Sequence, residues 1–243
     1  MANLLFYPAG SSAACRYAQT FLEARGLPFI GHISPEITHL LLDVPSLLSG
    51  AETEKLLHML PGRITVIGGN LHSPILEGYK TLDLLQDAEY LAQNAFITAD
   101  CALQVAAPLL TTTLRDTPTL IIGWGRIGKC LAQLLKAAGA EVSVAARKEA
   151  DRAMIRALGY QAVNLSDRLS GFRLLYNTAP EPVLAVEKSG LCKNCVKIDL
   201  ASKRGIMGED VVWSRGLPGV HAPESSGRLI SDTILRLIGE ETA

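Results

Sequence analysis

The run from Thr117 to Lys148, TPTLIIGWGRIGKCLAQLLKAAGAEVSVAARK, restricts the fold more than any other part of the chain. Leu120, Ile121 and Ile122 make a short apolar run that suits a buried parallel strand. Gly123-Trp124-Gly125-Arg126-Ile127-Gly128 follows at once and fills all three glycines of G-x-G-x-x-G. Ile127, Leu131, Leu134, Leu135 and Ala138 then recur at helical spacing, Gly139 closes the helix, and Glu141 to Ala146 reads as a second strand. The first glycine permits the tight strand-to-helix turn and the second lets a pyrophosphate approach the backbone. The third lets the helix lie close to the strand. A helix start offers unpaired N–H groups and partial positive charge to phosphates. The run therefore reads as the first βαβ unit of a dinucleotide-binding domain, the alternative being a glycine-rich turn in a nucleotide-free α/β domain.

An NAD site places Asp or Glu about 20 residues on, where it binds the ribose 2′-hydroxyl. Here that place is held by Ala145-Ala146-Arg147-Lys148, with no carboxylate until Glu149. Arg147 and Lys148 suit a 2′-phosphate, which Arg binds through paired donors. A helix start would otherwise favour acidic residues. The expected cofactor is NADP, with NAD less favoured.

With 243 residues, 48% of them hydrophobic, the chain allows one large or two small domains. A formal net charge of −1 without a basic run argues against a nucleic-acid partner. No apolar stretch approaches the ~20 residues a membrane helix needs. MANLLFYPAG lacks the charged start and long apolar core of a signal peptide, so a cytoplasmic protein is expected. Five cysteines, an odd and scattered set, do not suggest a disulfide framework. Cys192-Lys193-Asn194-Cys195 has no second pair to complete a zinc site and reads as two incidental cysteines. His32, His39, His58 and His72 show no ligand spacing, and no metal is expected.

Alternating strands and helices predict an α/β protein of two domains. A smaller, flavodoxin-like N-terminal domain would span residues 1–92, and a Rossmann domain with a doubly wound parallel sheet residues 93–243. The first should hold strands at Asn3–Tyr7, Leu27–Ile30, Thr38–Leu42 and Arg63–Ile67. Its helices should be Ala13–Arg25, capped by Ser11 or Ser12 and closed by Gly26, and Glu52–Leu60. The loops bearing Pro45 and Gly69-Asn70 follow strand ends, where open α/β sheets bind ligands. Plain turn chemistry explains them equally well. A connecting helix fits about 87–110, with a break near Ile97-Thr98. Beyond the fingerprint come a helix at Ala150–Leu158 and strands at Gln161–Val163, Arg173–Tyr176 and Val196–Leu200. The last two run into Asn177-Thr178-Ala179-Pro180 and Ala201-Ser202-Lys203-Arg204-Gly205, polar loops expected at the nicotinamide end. Gly216 to Pro223 is too proline-rich for an element, and a final helix, about 225–238, is free to pack back on the first domain.

The series GWGRIGK, AARK, YNTAP, DLASKRG and GLPGVHAPESSG resembles the dipicolinate synthase A-subunit family. That family falls within the wider D-2-hydroxyacid dehydrogenase and adenosylhomocysteinase type. The match covers about residues 90 to 240, and its last motif is the most specific. The resemblance implies a spore-forming bacterium and, for a partner, a flavoprotein B subunit. The implied reaction makes pyridine-2,6-dicarboxylate from the dihydrodipicolinate-pathway precursor during sporulation. It also aligns Asn94, Thr98 and Asp100 with the family's Asn-x-x-x-Thr-x-Glu-Gly, with Asp in place of Glu. The first-strand turn, Pro8-Ala9-Gly10-Ser11, departs from the family's Gly-Gly-Asp.

A nicotinamide enzyme needs its protein for placement, proton transfer and charge stabilisation. Asp100, Thr98, Asn94, His221 and Lys203 are the candidate catalytic set. Gly123 to Gly128, Arg147, Lys148, Asn177, Thr178, Ala179, Pro180, Leu200, Ala201 and Ser202 are the candidate cofactor contacts. For a small dicarboxylate substrate the candidates are Ser11 and Ser12 at a helix start, Pro45, Gly69, Asn70, Arg204 and the loop Gly216, Leu217, Pro218 and Gly219. A homo-oligomer is expected. Two other readings stand beside this one, a D-2-hydroxyacid dehydrogenase-like reductase and a non-catalytic nucleotide-binding subunit.

Overall fold

The computed structural model describes residues 4–242, with side chains up to Gly239, so Asn3 of the first expected strand lies outside the described residues. The chain forms two compact units, residues up to Asn94 together with Pro218 onward, and Ala95–Leu217. The second unit thus ends at Leu217, short of residue 243.

In the first unit β1 (Phe6–Pro8), α1 (Ala13–Glu23), β2 (His39–Leu41), α2 (Gly50–Met59), β3 (Thr65–Gly68) and β4 (Lys80–Asp83) alternate. The strands form a four-stranded sheet in the order β1-β2-β3-β4, every pairing parallel. The expected strand at Leu27–Ile30 is reduced to one parallel bridge, Phe6 to Phe29. Phe6 uses both backbone groups on it, donating to Pro28 O and accepting from Ile30 N. Counting that bridge as the second strand gives the order 2-1-3-4-5, the flavodoxin-like sequence of strands. Helix α1 follows from its pattern: Ala14, Cys15, Ala18 and Leu22 are buried, and Ser12 Oγ caps it by accepting from Cys15 N at 3.1 Å. Helix α2 begins with a reciprocal capping box between Ser49 and Glu52.

Helix α3 (Ala88–Ala106) runs unbroken through Ile97-Thr98, since nothing there removes a backbone donor. It ends where Pro108 forces a tighter 3₁₀ turn, Ala107–Leu109. In the second unit come β5 (Thr119–Ile122), α4 (Arg126–Ala137), β6 (Val142–Ala145), α5 (Glu149–Ala157), β7 (Gln161–Val163) and β8 (Leu174–Asn177). They are followed by β9 (Leu184–Ala185), α6 (Val186–Ser189), β10 (Val196–Asp199), β11 (Ile206–Met207) and β12 (Val211–Trp213). Six of these strands form a parallel sheet in the order β12-β10-β8-β5-β6-β7, while β9 and β11 pair separately. From β7 the order reads 3-2-1-4-5-6, a doubly wound sheet whose switch point lies between β5 and β8. All four residues of β5, β6 and β8 are buried, as strands covered on both faces must be. Tyr176, itself fully buried, donates to Ala102 O at 3.1 Å and fastens α3 to this sheet.

Two further helices close the chain, α7 (Leu217–His221) and α8 (Pro223–Thr242). A five-residue helix thus occupies the segment expected to hold no element. Helix α8 lies along α1, and Gly227 makes that approach possible. A Cβ there would collide with Tyr17 Cβ and stand 2.7 Å from Ala14 O. Arg236 adds an ion pair to Asp87 at 2.6 Å, which holds the Asp87 carboxyl below its usual range. Gly227→Ala should therefore destabilise the first unit by about 1–3 kcal/mol through overpacking. Chemical denaturation checks this, with Gly31→Ala, where a Cβ meets nothing within 4 Å, as the control.

Candidate dinucleotide site

The fingerprint glycines have three different surroundings. Gly123 stands at φ +105°, which non-glycine residues rarely adopt, and a Cβ on it would collide with Thr178 Oγ1. A Cβ on Gly128 would collide with Gly123 O, so the helix touches the strand end only because Gly128 is bare. Gly125 differs from both. A Cβ there meets nothing within 4 Å, and as N-cap of α4 it provides no side-chain hydrogen bond to the helix start. The helix start is thus open at Gly125, and first-turn amides of a helix, which have no intrahelical partner, suit an anion.

That space belongs to a cavity of about 530 Å³ in the second unit. Its walls come from the ends of β5, β6, β7 and β8, and include Gly123, Trp124 and Gly125, Arg147 and Lys148, and Thr178 to Glu181. Val163, Leu165 and Val183 give it an apolar side. An apolar wall for a base, bare amides for a pyrophosphate and cations at the rim suit the parts of a dinucleotide.

The rim is more crowded than Arg147-Lys148 suggests. Arg152, from the first full turn of α5, turns back so that one nitrogen donates to Ala146 O at 3.0 Å and Arg147 O at 2.6 Å. Its other nitrogens bind Glu149, which also meets Arg156 at 2.8 Å. Arg156 and Arg152 together hold the Glu149 carboxyl below the usual range. Arg147 is paired with Glu181 through two contacts of 2.8 and 2.9 Å. Lys148 has no ion-pair partner among the described residues.

Asn177 enters the structure differently from a cofactor contact. It is fully buried, its amide donates to Ala179 O at 3.0 Å and Asp199 Oδ1 at 2.8 Å, and its carbonyl accepts from Ala179 N. It shapes the Thr178-Ala179-Pro180 turn from beneath. Asp199, also fully buried, further accepts from Ala201 N, Gly205 N and Ile206 N. One carboxylate thus fixes the whole loop after β10. Leu200 and Ala201 are buried in it, Ser202, Lys203 and Arg204 are exposed, and none of the five lines the cavity. Arg204 instead borders a separate groove beside β10 and β12, together with Lys193 and Lys197.

In the first unit Asp43 takes the place foreseen for an anion. Its carboxylate accepts from Ser11 N at 2.9 Å, Ser12 N at 3.0 Å and Ser12 Oγ, so both amides at the start of α1 are satisfied internally. Ser46 N donates to Gly69 O at 2.8 Å and Gly69 N to Asp43 O at 3.2 Å, which brings Pro45, Gly69 and Ser11-Ser12 to one sheet edge. Asn70 N donates to Asp83 Oδ1, and Asn70 takes a positive φ of 62°, so it behaves as a turn residue.

Asn94 and Thr98 lie one turn apart on α3, with Thr98 buried, whereas Asp100 is exposed and accepts from Gln104 one turn on. A separation of two residues turns Asp100 away from Thr98 by about 200°, so the three do not share a face. His221 is exposed at the end of α7. Gly216 has φ +63°, and the chain returns from the second unit to the first between Leu217 and Pro218, with Gly219 exposed beyond. Cys192 Sγ donates to Ser170 O at 2.6 Å, and burial pushes the Cys195 thiol up to about 11, which suits structural thiols.

Asp43, Arg152, Glu181 and Asp199 were not singled out by sequence reasoning. For Asp199 and Asp43 a signal existed, a carboxylate closing or just following a mainly apolar strand. For Arg152 and Glu181 nothing local distinguishes them from surface charge.

The switch-point cavity, the open helix start and the sheet order have the form of a Rossmann-type dinucleotide-binding domain. Residues 86–183 match the family model described as D-isomer specific 2-hydroxyacid dehydrogenase, NAD binding domain. Within that class the chain is similar to the dipicolinate synthase A-subunit of Bacillus subtilis, 25% identical over 173 residues, an alignment spanning 66% of this chain and 58% of that protein. The crystal structure of the dipicolinate synthase A-subunit from Bacillus halodurans superposes with a TM-score of 0.80 at 20% identity, covering 97% of this chain and 98% of that one. The crystal structure of its Bacillus subtilis counterpart gives 0.81 at 19% identity, covering 99% and 97%. The family resemblance read from the motifs is thereby borne out.

Gly125→Ala separates binding from folding. The new Cβ has room in the protein, so stability should fall by less than about 1 kcal/mol, the scale of an N-cap change. It would stand where a pyrophosphate approaches, and dinucleotide affinity should drop at least about tenfold. Quenching of Trp124, which lines the cavity, reports the binding. Cys195, for its part, should resist alkylation at pH 8, because a thiol titrating at about 11 is almost wholly protonated there. Mass mapping of alkylated peptides checks this.

Proposed function

We propose that this chain is an NADP(H)-dependent oxidoreductase subunit of the dipicolinate synthase A type. Its substrate would be a small cyclic dicarboxylate, converted to pyridine-2,6-dicarboxylate, and its partner a flavoprotein B-type subunit. The matched NAD-binding domain and the likeness to the dipicolinate synthase A-subunit support an oxidoreductase role. The observation that carries the reading is the cavity itself, with open space over Gly125 and the start of α4, and Arg147, Lys148 and Arg152 around its rim.

When bound, the nicotinamide supplies hydride transfer, and the chain supplies placement and charge. The first-turn amides of α4 would hold the pyrophosphate, and the open space at Gly125 would let it come close. Strand β6 ends at Ala145, and Ala146 follows without a carboxylate, so Arg147 and Lys148 are the residues that would meet a 2′-phosphate. Asn177 and Asp199 work from beneath the surface and hold the two loops at the nicotinamide end in one shape. Lys203, exposed on the second of these loops, offers a cation to a substrate carboxylate. Asp100 and His221 are both exposed, which makes them weaker candidates for proton transfer than their residue types suggest.

The family match over residues 86–183 also favours a second reading, reduction of a 2-keto acid by a D-2-hydroxyacid dehydrogenase-like enzyme. Turnover of linear 2-keto acids, with none of a cyclic dicarboxylate, would select it.

Calorimetric titration tests the cofactor reading. NADPH should bind more tightly than NADH. Arg147→Ala and Lys148→Ala should each weaken NADPH about tenfold, the scale of one lost charge-assisted contact, and change NADH less than twofold. Tighter NADH binding by the unaltered protein refutes it.

A further inference from the structure

Across the cavity rim, Arg147 after β6 and Glu181 after β8 face each other. They meet in a paired bridge, with contacts of 2.8 and 2.9 Å, between residues 34 apart in sequence. Both line the cavity. The partner is selective: Glu149, the nearest carboxylate in sequence, is held by Arg152 and Arg156. Arg152 also reaches back to two carbonyls, so its donors are already engaged. The cations left for an incoming anion are thus Lys148 and an Arg147 whose fork is occupied.

We propose that Glu181 is a specificity-determining residue, a resident competitor for Arg147 that the 2′-phosphate of a nicotinamide dinucleotide must displace. The proposal rests on the dinucleotide reading given above. The bridge is poised for exchange because its two side chains are 81% and 44% exposed, and ion pairs so exposed contribute little. A phosphate monoester carries close to two charges and three acceptor oxygens, so it outcompetes a single carboxylate for a guanidinium. A ribose 2′-hydroxyl carries no charge and leaves the bridge closed. Glu181 therefore lowers affinity for every anion at the rim and lets through only one strong enough to take its place. Its location fits that role. It directly follows Pro180, in a turn pinned by Asn177 and by the bond from Thr178 Oγ1 to Ile122 O at 3.0 Å.

The experiment is a double-mutant cycle read by calorimetry with NADPH, NADH and 2′,5′-ADP as probes. Glu181→Gln keeps the shape and removes the charge. It should tighten NADPH and 2′,5′-ADP by about threefold to tenfold, the scale of one exposed ion pair, and change NADH less than twofold. In an Arg147→Ala background the same change should alter NADPH binding less than twofold, because the competition runs through Arg147. Unchanged or weaker NADPH binding by Glu181→Gln overturns the proposal, and so does a gain that persists without Arg147. Melting temperatures of all variants establish that each is folded. If the unaltered protein binds neither dinucleotide, the underlying reading fails as well. If it binds NADPH and Arg147→Ala weakens that binding while Glu181→Gln adds nothing, only this inference fails.

Discussion

The contact between Gly128 and the carbonyl of Gly123 is the constraint on which the rest of the second unit depends. A side chain at Gly128 would push the helix off the strand it follows, and one at Gly123 would strike Thr178 in the loop after β8. With Gly128 bare, the helix starts right at the sheet edge, beside the switch point between β5 and β8. In the proposed reading, the backbone amides at this helix start would receive the pyrophosphate. The price is conformational, since a φ of +105° commits Gly123 to a region closed to other residues.

Around that edge, shape is set by buried carboxylates. Asp199 lies fully buried under four donors, three from the backbone and one from Asn177. Asp43 does the same work in the first unit, gathering the turn before α1 and the loops after β2 and β3. Burying a carboxylate is costly unless its lone pairs are satisfied, and here they are. Such groups are poor candidates for chemistry and good ones for positioning. The distinction matters at Ser11 and Ser12, whose amides suit an anion by type but already hold Asp43. Charge at the rim follows a similar rule: Arg147 and Arg152 each meet a carboxylate, and the field an incoming phosphate feels is the remainder of these pairings.

Much of the architecture was legible in the chain itself. Helix α4 and strands β5 and β6 lie within a residue or two of their expected bounds, because apolar periodicity and closing glycines are local signals. Short elements escaped. Strand β12 has only three residues, two of them exposed, and α7 forms across a proline-rich segment. The expected strand at Leu27–Ile30 had the right composition, but β1 extends only to a single bridge beside it. Composition states what a segment tolerates, and a neighbouring strand decides whether it pairs.

The same division runs through the candidate site. From the amino-acid order alone came the crossover, the three glycines and the two cations after β6, because each is a pattern over a few neighbouring residues. The tertiary structure alone decided which donors are free. Asn177 turns inward to Asp199 across 22 positions, Ser12 meets Asp43 across 31, and Arg147 meets Glu181 across 34. Hydrogen bonds and ion pairs act over about 3 Å in space whatever the distance along the chain. Only folding brings such partners together, so only the folded chain separates a group that can bind a ligand from one already bound to its own protein.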